Sequence, residues 1–195
     1  MMKPDYNHLY NIAERQAGYF TSRQARTAGF SWERLSANAR RGRFIRIRPG
    51  IYRLAQFPTS RFEDLFIAWL RMGPSATISH ESALSVFDLS DILPHEVHVT
   101  VPRSASRRRT GIRMHTRHLE PEDIIWREGL PITRAERTIT DILQEGIAEE
   151  QIRKAIHEGI QRGIITSESL LKHAAGLGRI QQKRIQSLLE EKVLT

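Results

Sequence analysis

The sequence predicts an α+β protein: three short helices and a β-hairpin in residues 1–58, then a mixed α+β domain that ends in helices. Three observations predict it. Short apolar stripes at helical spacing are punctuated by caps and glycines up to Gly42. A period-2 stretch then brackets Pro49-Gly50, and beyond residue 59 strand-like and helix-like segments alternate. A chain of 195 residues suffices for one ordinary domain or two small ones.

Leu9, Ile12 and Ala13 give the i, i+3, i+4 stripe of a first helix over about 5–16, closed by Gly18. Thr21 or Ser22 caps a second over 23–28, which ends at Gly29; Ser31 caps a third over 32–41, which ends at Gly42. At about 100° per residue, Trp32, Leu35 and Ala39 fall together and are expected to pack on the first two helices. The opposite face presents Glu33, Arg34, Ala37 and Arg41, with Asn38 and Arg40 on the flanks. Next, Phe44–Arg48 and Ile51–Leu54 flank a Pro-Gly pair suited to a type II turn. Alternation puts Ile45 and Ile47 on one face and Arg46 and Arg48 on the other. Two helices joined through Gly29 and followed by a two-stranded wing make a winged helix-turn-helix.

Pro58, Thr59 and Ser60 mark the expected boundary between a domain over 1–58 and one over 59–195. In the second, Ser60 caps a helix over 61–72 and a short helix over 80–87 follows Ser79. His95–Val101 reads as a strand, Arg107-Arg108-Arg109 lies in the connection to a second strand over 112–118, and extended pieces follow near 124–126 and 130–132. Helices over 133–144, 149–162, 167–175 and 180–191 close the chain.

Composition excludes several classes. Without cysteine there is no disulfide scaffold, thiolate metal site or cysteine nucleophile. The start, Met1-Met2-Lys3-Pro4, lacks the apolar region of a secretory signal, and no run of about 18 apolar residues could span a membrane. The expected location is the cytoplasm. The net charge of +8 is unevenly spread: residues 1–58 hold 11 Lys/Arg against 3 acids, and residues 59–195 hold 19 of each. Ten of the eleven cations are arginine, the side chain suited to phosphates and guanine edges. The expected partner is double-stranded DNA.

On that reading Glu33, Arg34, Ala37, Asn38, Arg40 and Arg41 form the base-reading face of a recognition helix. Arg23, Arg26 and Arg43, with Arg46, Arg48 and Arg53 of the wing, meet phosphates. Arg107, Arg108 and Arg109 form a second basic patch, either an arm toward phosphates or an acidic partner, or a solvated hairpin tip.

No catalytic, cofactor or metal site is expected. His95 and His98, like His115 and His118, are three apart on a strand and point to opposite faces, so neither pair shares an ion. The one Glu-x-Lys, Glu190-Glu191-Lys192, ends the last helix, and no Walker sequence occurs. Glu120, Glu122 and Asp123 lie in a turn and read as solvent-facing acids. An enzyme is not expected.

The segments Gly29–Leu35 and Arg40–Tyr52 resemble the N-terminal winged helix of the AbiEi family, antitoxins of type IV abortive-infection toxin–antitoxin systems. Later segments resemble that family in order: Ser79–Leu84, Val97–Arg103, Gly129–Thr133 and Arg137–Asp141. Ser36 and Ala37 depart from it, since similar chains often carry basic residues there. The resemblance implies a repressor that binds inverted repeats at its own promoter; the sequence leaves open whether it forms an oligomer on DNA. It also implies that the C-terminal domain counteracts a nucleotidyltransferase-type toxin without a stable complex. Two alternatives stay open: a stand-alone winged-helix transcription factor with a dimerisation or sensing domain, and a nucleic-acid enzyme or accessory fragment.

Overall fold

Local side-chain caps set the first helices. In the computed structural model, which describes residues 3–89, 94–105 and 109–190, Asp5 accepts from His8 N at 2.9 Å and starts α1 (Tyr6–Glu14). A reciprocal box starts α2 (Ser22–Thr27): Gln24 N donates to Thr21 Oγ1 at 3.1 Å, and Thr21 N to Gln24 Oε1 at 2.8 Å. Ser31 caps α3 (Trp32–Arg40). The turn before α3 requires glycine, because Gly29 has φ 81° and a Cβ there would meet Lys3 O at 2.7 Å. The wing follows as β2 (Phe44–Arg48) and β3 (Ile51–Leu54), joined through Gly50 at φ 79°.

A strand that the sequence reading missed, β1 (Tyr19–Thr21), joins the wing in an antiparallel sheet of order β1-β3-β2. Three residues carry too little periodicity to be read as a strand, but both aromatic side chains in it, Tyr19 and Phe20, are buried. The order of elements from α1 to β3 is that of a winged helix-turn-helix, as expected. Its core gathers Leu9, Ala13, Ala25, Phe30, Leu35 and Leu54 around Phe20, whose ring meets Phe44 edge-on at 5.1 Å and stacks on Tyr52 at 5.7 Å.

The chain forms two compact units, and the division falls later than Pro58. The first spans Met1–Pro74 with Glu128–Leu130, so it includes α4 (Glu63–Met72). Tyr19 explains this. Its ring stacks on Phe66 at 5.0 Å and its hydroxyl donates to Glu63 Oε2 at 2.8 Å. Burial and that bond push the phenol up to about 12.

The second unit, Ser75–Arg127 with Pro131–Thr195, holds β4 (Thr77–Ile78), α5 (His80–Phe87), β5 (Val97–Thr100), β6 (Ile112–His115), β7 (Ile124–Arg127) and β8 (Leu130–Thr133). Helices α6 (Ala135–Gln144), α7 (Glu149–Gln161), α8 (Ser167–Ala175) and α9 (Arg179–Glu190) complete it. The sheet order is β6-β5-β4-β8-β7. β5 and β6 run parallel, with Val97 opposite Ile112 and Thr100 opposite His115, so the segment between them is a crossover and not a hairpin. His98, Val99 and Thr100 are buried in succession, as in a strand covered on both faces.

Asp123 also departs from its expected solvent-facing role. Arg137, in the first turns of α6, donates from Nη1 to Asp123 Oδ2 at 2.7 Å, from Nε to Asp141 Oδ2 at 3.0 Å, and from Nη2 to His118 O at 3.2 Å. The guanidinium is thus satisfied inside the unit by two carboxylates and a carbonyl. Among the described residues no helix is long and apolar enough to cross a membrane.

Candidate nucleic-acid interface

The α2-turn-α3 unit and the wing position the arginines of the first unit. Ser22 N, at the start of α2, donates to Gly50 O at 2.8 Å, which docks the wing turn beside that helix. Arg23 and Arg26 stand exposed on α2. With Ser22, Thr27 and Trp32 they line an open groove of about 540 Å³, so α2, the start of α3 and the wing turn adjoin.

Helix α3 is rotated from the expected orientation. Its buried residues are Leu35 and Asn38, whereas Trp32 is 53% exposed and Ala39 half-buried. Asn38, expected on the reading face, ties α3 to α1: its Nδ2 donates to Arg34 O at 2.9 Å and its Oδ1 accepts from Tyr6 OH at 3.2 Å. A buried amide with both ends satisfied loses little, which is why a polar residue holds a core position. The solvent face carries Glu33, Ser36, Arg40 and Arg41, with Ala37 and Arg34 half-buried at its edges. Ser36 is the residue that the rotation adds. Ser31 and the amide of Glu33 hold the Glu33 carboxyl below its usual range, so it stays an acceptor at the helix start.

The wing also departs from simple alternation. Arg46 lies opposite Tyr52 and Arg48 opposite Ile51, so Ile47 is an extra residue and β2 is bulged there. Ile45 is 37% exposed, and Arg46 and Arg48 are exposed, as expected. Arg53 is not. It sits on the central strand, 8% exposed, with Nη1 donating to Phe57 O and its guanidinium 6.0 Å from the Tyr19 ring centre. Buried and bonded inside the fold, its guanidinium is not presented to a phosphate.

Arg43 follows α3 and is exposed. Arg23, Arg26, Arg40, Arg41, Arg43, Arg46 and Arg48 thus present seven guanidinium groups to solvent. No ion pair ties any of them to a carboxylate among the described residues. Such planar cations pair with phosphate oxygens and with guanine edges. In the second patch Arg107 and Arg108 lie outside the described residues, as do Glu191 and Lys192 of the Glu-x-Lys sequence; Arg109 is exposed.

The fold and this surface define a winged helix-turn-helix module with a cationic face. Residues 8–55, from α1 to the end of the wing, match the family described as "Transcriptional regulator, AbiEi antitoxin". The resemblance read from the sequence therefore holds across that module, and the family that it matches is described as one of transcriptional regulators. The chain is also similar to the crystal structure of the RV2827C protein from Mycobacterium tuberculosis, with 15% identity and a TM-score of 0.53 over 93% of this chain and 74% of that one. That likeness is one of fold. No curated protein matches.

Proposed function

We propose that the chain is a DNA-binding transcriptional repressor and antitoxin of a type IV toxin–antitoxin system. It binds inverted repeats at its own promoter through α3, α2 and the wing. Its second unit counteracts a nucleotidyltransferase-type toxin without forming a stable complex. The observation that carries the DNA-binding part is the set of seven solvent-facing arginines on a winged helix, unneutralised among the described residues. Glu33, Ser36, Arg40 and Arg41 read bases, whereas Arg23, Arg26, Arg43, Arg46 and Arg48 position the backbone. Arg109 serves with its neighbours Arg107 and Arg108 as an auxiliary basic patch. The role is a regulator's, not an enzyme's.

A second reading follows from where the family match ends. It stops at residue 55, so a transcription factor whose second unit dimerises or senses a ligand has the same N-terminal module. Two measurements separate the readings. Gel shifts on the DNA upstream of the chain's own gene are expected to show specific binding that Arg40→Ala with Arg41→Ala abolishes; equal binding to scrambled duplex would sink the repressor. Co-expression with a neighbouring nucleotidyltransferase is expected to restore growth even with that double variant. Failure of rescue with a folded double variant would favour the stand-alone factor.

A further inference from the structure

We propose that His80, His98 and His115 form a three-histidine site for a zinc ion in the second unit. Pairing histidines by nearness in sequence could not find it, because each comes from a different element. His80 opens α5 directly after β4, His98 lies within β5, and His115 ends β6. In the parallel β5–β6 pair, His98 faces Arg113 and Thr100 faces His115, so the two histidines are diagonal neighbours on one sheet face. The exposed partners considered from the sequence, His95 and His118, take no part.

The geometry converges. One ring nitrogen from each histidine lies within 4.8 Å of the other two, and the residues are 1%, 5% and 8% exposed. Tetrahedral zinc with bonds of about 2.0–2.1 Å needs nitrogens about 3.3 Å apart, so the rings must close by at most about 1.5 Å. Closure turns His115 out of its present stack on His80, whose ring centre is 3.5 Å away.

The outer atoms make the case stronger than proximity does. One nitrogen on each ring has a polar partner: His80 Nδ1 meets Ser79 Oγ at 2.9 Å, His98 Nε2 meets Glu81 Oε2 at 3.2 Å, and His115 Nδ1 lies 3.6 Å from Glu145 Oε1. Ser79 is itself fixed, accepting from the Thr100 hydroxyl at 2.9 Å. The other nitrogens, His80 Nε2, His98 Nδ1 and His115 Nε2, are buried without a hydrogen-bond partner. A buried orphan nitrogen is costly, and one on each of three clustered rings suits metal ligands whose second nitrogen is oriented by a carboxylate or hydroxyl. His80 also holds φ 52°, a left-handed conformation that a non-glycine residue keeps only where its surroundings enforce it.

Charges of both signs surround the three rings. Glu81 and Glu145 offset the ion's charge, against Arg113, Arg117 and Arg137 on the same side of the balance as the ion. With no cysteine in the chain, zinc is held by nitrogen alone, with a fourth position open. Nothing in the proposed promoter binding needs this site. It gives the second unit a metal-dependent fold or a metal-gated response.

The test uses the full chain, stripped with a chelator and titrated with zinc chloride or cobalt chloride. One ion per chain, a higher Tm with zinc, and visible cobalt bands of a four-coordinate nitrogen site are expected. His98→Gln is expected to abolish binding. Because that variant could also unfold, Glu81→Gln and Glu145→Gln serve beside it and are expected to weaken affinity by about 10–100-fold in a folded chain. His118→Gln, on an exposed histidine, is expected to leave binding unchanged. A wild-type chain that takes up no zinc, or zinc binding indifferent to both glutamate variants, overturns the proposal.

Discussion

Arginine does opposite work in the two units. In the first, seven arginines of α2, α3 and the wing face solvent with no ionic partner among the described residues. In the second, arginines are neutralised from within: Arg113 by Glu145 at 3.0 Å, Arg184 by Glu149 at 3.1 Å, and Arg137 by Asp123 and Asp141. The uneven charge along the sequence is therefore a difference in bookkeeping at atomic scale. Where acids and bases are equal in number, several of them pair within the fold. Where 11 cations meet 3 acids, the excess is left for something outside the chain. The lesson is that arginine alone predicts no function; its partners inside the fold decide whether it builds or binds.

The largest effect that could break this comparison belongs to Arg137. Its side chain is 10% exposed and Asp141's only 2%. Arg137→Met would leave two carboxylates facing each other without a cation. A loss of about 3–5 kcal/mol is expected in urea unfolding. Any folded fraction should bind DNA with unchanged salt dependence. A loss under about 1 kcal/mol, as for a solvated surface pair, would mean that the second unit's arginines are as dispensable to folding as the first unit's.

Two residues of the first unit sharpen the contrast, because they are polar but buried. Arg53→Met and Asn38→Ala should each cost about 1–3 kcal/mol of stability, through the Phe57 carbonyl and the Tyr6 hydroxyl left unpaired. Neither should narrow the ratio of operator to random-duplex affinity, measured on protein shown to be folded. If Asn38→Ala relaxes specificity without touching Tm, α3 turns differently on DNA than it does here.

A sequence makes legible what local physics decides. Caps and turns were legible because their physics is local: Thr21 and Ser31 accept from amides three residues on, and Pro49-Gly50 sets its own dihedrals. The rotation of α3 was not, since a nine-residue helix with Trp32, Leu35 and Ala39 on one stripe reads as apolar inward. The actual tie, Tyr6 to Asn38, spans 32 positions. Arg53 looked like a third wing arginine until β1, invisible at three residues, placed it on a central strand. Arg137 to Asp123, and the histidines at 80, 98 and 115, likewise meet only through the sheet. Arg23, Arg26, Arg40, Arg41, Arg43, Arg46 and Arg48 are exposed, and among the described residues no carboxylate pairs with them.

Within the exposed set, α3 should differ from the wing. Arg40→Ala or Arg41→Ala should cost about 1–3 kcal/mol on the operator and much less on a scrambled duplex, as loss of a base contact does. Ser36→Arg, which adds a cation to the solvent face of α3, should tighten binding to both duplexes and so reduce discrimination. Equal weakening on both duplexes by the alanine variants would move Arg40 and Arg41 from reading bases to neutralising phosphates.

The smallest effect is the most diagnostic. Arg46 and Arg48 lie on either side of the bulge at Ile47, and the wing turn is held to the start of α2 by Ser22 and Gly50. The wing therefore presents its cations from a fixed position, and each should sit on a phosphate and not on a base. A phosphate contact releases about one condensed counterion, so its removal changes the steepness of salt dependence more than the affinity at any one salt. Arg48→Ala should make the slope of log K against log salt shallower by about 1, on operator and scrambled DNA alike. Arg46→Ala should do the same, and the double variant should lose about 2 if the contacts are independent. Arg53→Met supplies the internal control: it removes an arginine of the same hairpin, but a buried one, and should leave the slope where it was. Equal slopes for Arg48→Ala and Arg53→Met would erase the distinction between arginines that build this unit and arginines that bind from it.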